Sequence, residues 1–159
     1  MRTDFIDRLI DEWEQEAPQL DTAPMQVIGR VVRLGRDLNA AADKALAEFD
    51  LSYTEFDILA TLRRSGQPYQ LTPGALQASV LLTSGAMTAA LNRLTTRNLI
   101  TRESDADDKR IKAARLTVAG SRLALKAARH RFAVAAHQTS SMSAAKLRQL
   151  ESLLRELGN

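Results

Sequence analysis

The stretch from Leu82 to Gly120 constrains the fold more than any other part of the chain. It opens on a helix with a polar start, Thr83-Ser84-Gly85-Ala86-Met87-Thr88-Ala89-Ala90-Leu91-Asn92-Arg93-Leu94. It then runs into Leu99-Ile100-Thr101-Arg102, a charged tip at Asp105-Ala106-Asp107-Asp108-Lys109-Arg110, and Arg115-Leu116-Thr117-Val118-Ala119-Gly120. This order predicts helix, strand, tip, strand and helix start, with strands over 100–104 and 111–116. Leu82, Met87, Leu91 and Leu94 supply the inner face of the helix, which leaves Ser84, Gly85, Thr88, Ala89, Asn92 and Arg93 outward. A helix with so short a polar outer face can lie in a DNA major groove. A cationic hairpin directly after it can reach the flanking minor groove, so the order implies a two-point grip on duplex DNA. Read without the hairpin, the same helix would be an ordinary solvated one.

A chain of 159 residues is long enough for one domain with a proper core and short for two, so residues 1–159 are expected to form a single domain. Aromatic residues make up only 4% of it while Ala, Leu and Arg abound, which favours helix on helix. The expected fold class is mostly α with a small β-hairpin wing. There are no cysteines, which excludes disulfides, Cys-ligated zinc, thiol redox sensing and Cys nucleophiles. His130 and His137 stand two turns apart on one expected helix with no carboxylate between them, a poor metal pair. No apolar run approaches the roughly 20 residues of a membrane span, and the acidic amino terminus is unlike a secretory signal, so a cytoplasmic protein without a membrane partner is expected.

Net charge is +3, but its distribution matters more. Residues 1–50 carry 6 basic and 11 acidic groups, residues 83–116 carry 7 and 4, and residues 117–159 carry 7 and 2. The positive field therefore belongs to the hairpin and the carboxyl-terminal helices. Arg93, Arg97, Lys109, Arg110, Lys112 and Arg115 are the candidates for the duplex backbone, with Ser84, Thr88 and Asn92 nearest base edges. Ala89 and Ala90 leave few long polar side chains for direct readout, which predicts an A/T-leaning site read partly through thymine methyls and groove shape.

Around this lobe, helical periodicity predicts further helices. Residues 3–16 set Phe5, Ile6, Leu9, Ile10 and Trp13 against an acidic face, and Pro18 ends the pattern. Residues 25–49 form a long helix. Ser52 and Glu55 make a capping box for the next, with Phe56, Leu59, Ala60 and Leu62 inward, and Thr72-Pro73 starts a short helix to about Val80. Thr117 caps a helix to about Thr139, and Ser143 one to Leu157. The apolar stripes at both ends exceed what one small domain can bury. Residues 1–50 and 117–159 are therefore expected to be dimerisation helices around a DNA-binding lobe at 51–116.

This order of elements resembles the winged helix-turn-helix regulators of the MarR family over about residues 25–157. The wing signature of that family is matched by Asp108-Lys109-Arg110 and by Leu116-Thr117-Val118-Ala119-Gly120. The resemblance implies that Arg110 enters the minor groove while Asp108 orients its guanidinium; as a plain alternative the two would form a surface ion pair of little consequence. A narrower resemblance, to the urate-responsive branch with its extra amino-terminal helix, rests on Trp13, Phe56-Asp57-Ile58-Leu59, Leu62-Arg63-Arg64-Ser65-Gly66, Pro68-Tyr69, Leu71-Thr72-Pro73 and Thr83-Ser84-Gly85-Ala86-Met87-Thr88. It implies a ligand site at Trp13, Asp57 and Arg102. Ala90 stands at the fourth position, where the branch has arginine, and a natural partner for an anionic purine is missing there. Each retained residue also has a structural alternative. Trp13 would bury its ring as an anchor, Asp57 would hold an arginine in an ion pair, and Arg102 would contact phosphate.

The expectation is thus a homodimeric regulator, acting as a repressor, on a pseudo-palindrome with half-sites about one turn, or 10 base pairs, apart. It needs no cofactor. A small anionic or aromatic effector, a urate-like purine or a phenolic compound, is expected in the cleft between the dimer helices and the DNA-binding lobe. The rival reading is a helical protein-interaction dimer without specific DNA binding. An enzyme is not expected, since no nucleophile with a base, carboxylate pair, metal cluster or phosphate-cradling glycine loop is present.

Overall fold

The structure of the chain is a computed structural model that describes residues 4–80, 84–104 and 112–158. Its elements are α1 (Phe5–Glu16), α2 (Ala23–Ala47), α3 (Tyr53–Arg64), β1 (Gln70–Leu71), α4 (Pro73–Ser79), α5 (Ser84–Thr96), β2 (Ile100–Ser104), β3 (Lys112–Leu116), α6 (Val118–Gln138) and α7 (Ala144–Leu157). Contacts divide the chain into two units, 1–42 and 43–159, with the boundary inside α2.

In the first unit, Asp4 caps α1 in a reciprocal box with Asp7: the Asp4 carboxylate accepts from the Ile6 and Asp7 backbone N–H groups, and Asp7 accepts from Asp4 N. Arg30 of α2 donates to both carboxylates, at 2.9 Å to Asp4 and 2.6 Å to Asp7. The hydrogen bonds at its first turn hold the Asp4 carboxyl below its usual range. Ile6 and Ile10 are buried, and a side chain at Gly29 would meet Ile6 methyls at 3.2 and 3.3 Å, so the absence of a Cβ lets α1 lie close on α2.

The second unit has one core, built from Leu46, Phe49, Ile58, Leu59, Leu62, Leu76, Leu91, Leu94, Ile100, Leu116, Ala124 and their neighbours. The locally encoded starts fall where the residue types predict. Ser52 and Glu55 form the capping box of α3, Thr72 accepts from Ala75 N before Pro73, Thr117 accepts from Gly120 N, and Ser143 from Lys146 N. β2 and β3 pair antiparallel from Ile100↔Leu116 to Ser104↔Lys112. The sheet holds a third strand that periodicity misses, β1, whose two residues pair with Arg115 and Ala114 of β3. So short a strand has no pattern of its own; it exists because Tyr69, at φ 60°, turns the backbone so that its carbonyl accepts from Leu116 N.

Among the described residues, no helix is long and apolar enough to cross a membrane. No group of three or more His, Cys, Asp or Glu side chains is arranged there to hold a metal.

Candidate nucleic-acid interface

α5 and the hairpin that follows it form the candidate surface. Met87, Ala90, Leu91 and Leu94 turn one face of α5 into the core, while Gly85, Ala86, Thr88, Ala89, Asn92, Arg93 and Thr96 stay exposed. The helical stripe is therefore the expected one apart from Ala90. Fully buried, Ala90 cannot lie near base edges, and no ligand cation could be presented from that position without opening the core. Leu82, expected on the inner face, lies outside the described residues.

Ser84 begins α5, and its side chain lies outside the description, as does that of Lys112 at the start of β3. Asp108, Lys109 and Arg110 also lie outside the described residues. Arg115 is exposed on β3 opposite Thr101 of β2 and Gln70 of β1.

Two arginines of this helix and its end are held from below. Arg93 Nε donates to Glu55 Oε1 at 3.1 Å, and Arg97 Nη2 reaches Asp50 Oδ2 at 3.2 Å while Nη1 donates to the Asp50 carbonyl. Arg97 is thus committed to the turn before α3, and its side chain is only 30% exposed, against 55% for Arg93. Glu55, which residue spacing reveals only as a cap, is 5% exposed. Burial pushes its carboxyl up. The Ser52 backbone N–H, the Ser52 hydroxyl and the Arg93 guanidinium more than offset that and leave it below its ordinary value, so Glu55 stays ionised.

The helix is fixed to the hairpin through the chain after it. Asn98, at φ 54°, ends the helix, Leu99 N donates to Leu94 O, and Thr117 Oγ1 donates to the carbonyls of Asn98 and Leu99. Arg64 Nη2 donates to Ser79 O and Thr61 Oγ1, tying α3 to the end of α4. The α4–α5 pair and the hairpin are therefore both anchored on α3 and the start of α6.

The three ligand candidates have different surroundings. Trp13, in the first unit, is 50% exposed, so its ring is not a buried anchor. Asp57 and Arg102 belong to the second. Asp57 makes no ion pair among the described residues. Burial pushes its carboxyl above the usual range, and the charge of Arg64 opposes this only in part. Arg102 is half-buried on β2, and its Nη1 is buried with no hydrogen-bond partner among the described residues. The structural alternative for Asp57, an ion pair with an arginine, finds no partner among the described residues.

Because Asp57 holds its proton more tightly in the folded chain, its contribution to stability is full below the ordinary carboxylate pKa. That contribution is lost as pH rises through the raised folded value. Asp57→Asn, which does not titrate, is expected to be more stable than wild type at neutral pH, with the difference closing in acid. Denaturant unfolding at neutral and acidic pH measures this, and a variant less stable at neutral pH would contradict the burial of an unpaired carboxylate.

This arrangement is a winged helix-turn-helix: a short helix, a helix with an exposed polar face, and a two-stranded wing on a helical base. Residues 49–111 match the model of the MarR family. The HTH-type transcriptional regulator PecS of Dickeya dadantii (strain 3937) is 38% identical over 89 residues, which are 56% of this chain and 54% of PecS. The chain thus spans about half the length of the curated relative it matches.

Solved structures share the fold over most of the chain. A mutant MarR from E. coli, complexed with operator DNA, superposes with a TM-score of 0.72 at 20% identity, covering 98% of this chain and 99% of that one. BpsR of Bordetella bronchiseptica, from a structure describing regulation of its DNA binding by 6-hydroxynicotinic acid, gives 0.74 at 18% identity, covering 84% and 93%.

Proposed function

We propose that the chain is a transcriptional regulator of the MarR type. In this reading it binds a pseudo-palindromic operator as a homodimer, acts as a repressor and responds to a small effector. The observation that carries the reading is the exposed face of α5: small and polar, flanked by arginines, and followed at once by a hairpin in the place of a wing. The family match over 49–111, the likeness to PecS and the fold shared with MarR on its operator support it.

The dimer is supported by α7, a 14-residue helix with no buried residue, and by Phe132 of α6, which is 77% exposed. Support for an effector comes from Asp57 and Arg102. A buried donor without a partner is costly, and an anion or carbonyl of a small planar molecule, a purine or a phenolic compound, would supply the acceptor that Arg102 Nη1 lacks among the described residues.

DNA binding is tested by titrating duplex against the chain over a range of salt. Affinity is expected to fall steeply, with log K linear in log salt. Arg110→Ala should weaken it by about 10-fold, within the ~1–3 kcal/mol of one groove or phosphate arginine. Binding that ignores salt, or an Arg110→Ala variant equal to wild type, would defeat the wing as a second grip.

A further inference from the structure

We propose that Glu55 and Arg93 together form a phosphate-holding site on α5: the buried carboxylate fixes the inner edge of the guanidinium so that the outer edge meets a backbone phosphodiester of the duplex. The inference rests on the DNA-binding reading above.

Glu55 lies inside the second unit, which is rare for a glutamate without a partner. Its Oε2 accepts from Ser52 N at 2.9 Å and from Ser52 Oγ at 2.8 Å, and its Oε1 accepts from Arg93 Nε at 3.1 Å. The carboxylate is thus held by three donors, two of them on Ser52 and one on Arg93. Its Ser52 contacts cap α3, but an ion pair whose arginine is 55% exposed adds little stability, so the cap alone does not explain the contact with Arg93. What it supplies is orientation. With Nε engaged, the planar guanidinium is held in one plane, and among the described residues its two Nη groups have no protein partner while the side chain remains 55% exposed.

Arg93 lines an open cleft of about 420 Å³ together with Asn92, Thr96 and Arg97 and with the carboxylates Asp50 and Glu55, which the guanidinium groups of Arg97 and Arg93 respectively engage. Asn92 and Thr96 lie one helical turn apart on the exposed stripe that begins at Gly85. Arg93 therefore stands beside the face that would enter the major groove, where the sugar-phosphate backbone passes. The outer edge of a guanidinium offers paired N–H donors that match two oxygens of one phosphate, which a flexible ammonium does not.

Positioning and simple electrostatics predict opposite signs here. Glu55→Gln removes one negative charge beside the DNA face, and charge alone would tighten binding. If Glu55 acts by positioning Arg93, the variant binds more weakly. The experiment measures affinity for a mixed-sequence duplex, across salt, with full-length wild type, Glu55→Gln, Arg93→Ala and the double variant, each checked for helical content and melting.

Arg93→Ala is expected to lower affinity about ten-fold and to flatten the salt dependence by up to about one phosphate. Glu55→Gln should lose several-fold in the wild-type background and nothing further in the Arg93→Ala background. Equal losses in both backgrounds would make Glu55 a helix cap only, and unchanged or tighter binding by Glu55→Gln would overturn the positioning role. Should Glu55→Gln fail to fold, Arg93→Ala, an exposed substitution, decides the phosphate contact alone: unchanged affinity and salt slope overturn it. A wild-type chain that leaves the duplex unbound fails the DNA-binding reading itself, a result distinct from wild type and Arg93→Ala binding alike.

Discussion

Gly120→Ala is expected to destabilise the second unit by about 3 kcal/mol or more, a large share of the stability of a domain of this size. The reason is space. A Cβ at Gly120 would sit 1.9 Å from the Leu99 carbonyl oxygen and 2.8 Å from its carbon, and both are backbone atoms that no rotamer can withdraw. The same carbonyl accepts from Thr117 N and from Thr117 Oγ1, which in turn accepts from Gly120 N. The first turn of α6 is therefore docked directly on the chain between α5 and β2, and any outward shift of the helix breaks its own cap. Urea or thermal unfolding followed by far-ultraviolet circular dichroism measures the loss. A Gly120→Ala chain as stable as wild type would show that α6 does not approach Leu99 this closely.

The second large effect concerns assembly. Leu150, Leu153, Leu154 and Leu157 of α7 are all at least 40% exposed, on a helix that buries none of its residues. Burying one such leucine contributes roughly 1.5–3 kcal/mol, and a carboxylate in its place adds desolvation cost. Replacing Leu150 and Leu154 with Asp should convert the proposed dimer into a monomer while the helical signal of the chain is largely kept, and affinity for duplex should collapse with it, since a monomer presents one α5 where the proposed dimer presents two. Sedimentation equilibrium on both chains tests this. A wild-type monomer, or a variant that stays dimeric, would remove α7 from the interface.

What the sequence made legible was whatever is encoded within a few residues. The caps at Ser52, Thr72, Thr117 and Ser143 each need one side chain and one nearby N–H, and each was readable from residue type and spacing. β1 was not, because its two residues are a strand only by virtue of Arg115 and Ala114 across the sheet. Gly120 was visible as part of a motif, but its reason, the Leu99 carbonyl, lies 21 positions upstream in the chain and is seen only in the fold.

The candidate site divides in the same way. The outward stripe of α5 follows from helical period, whereas Ala90 is placed inside by how α5 packs on the core. Arg93 and Arg97 look equivalent one turn apart. The structure separates them by what lies beneath, the buried Glu55 under one and the exposed Asp50 beside the other. Arg102 is another case: that its Nη1 meets no acceptor among the described residues is a property of its surroundings, invisible in the residue itself.

Whether this chain reads operator DNA with two copies of α5 is decided by selecting bound duplexes from a random pool with the purified chain at near-physiological salt and sequencing them. Enrichment of an A/T-leaning pseudo-palindrome is expected, with half-sites about one helical turn, roughly 10 base pairs, apart. Recovery of no preferred sequence, with only weak binding that salt abolishes, would refute operator reading and leave α5 and its hairpin as a charged surface on a helical interaction module.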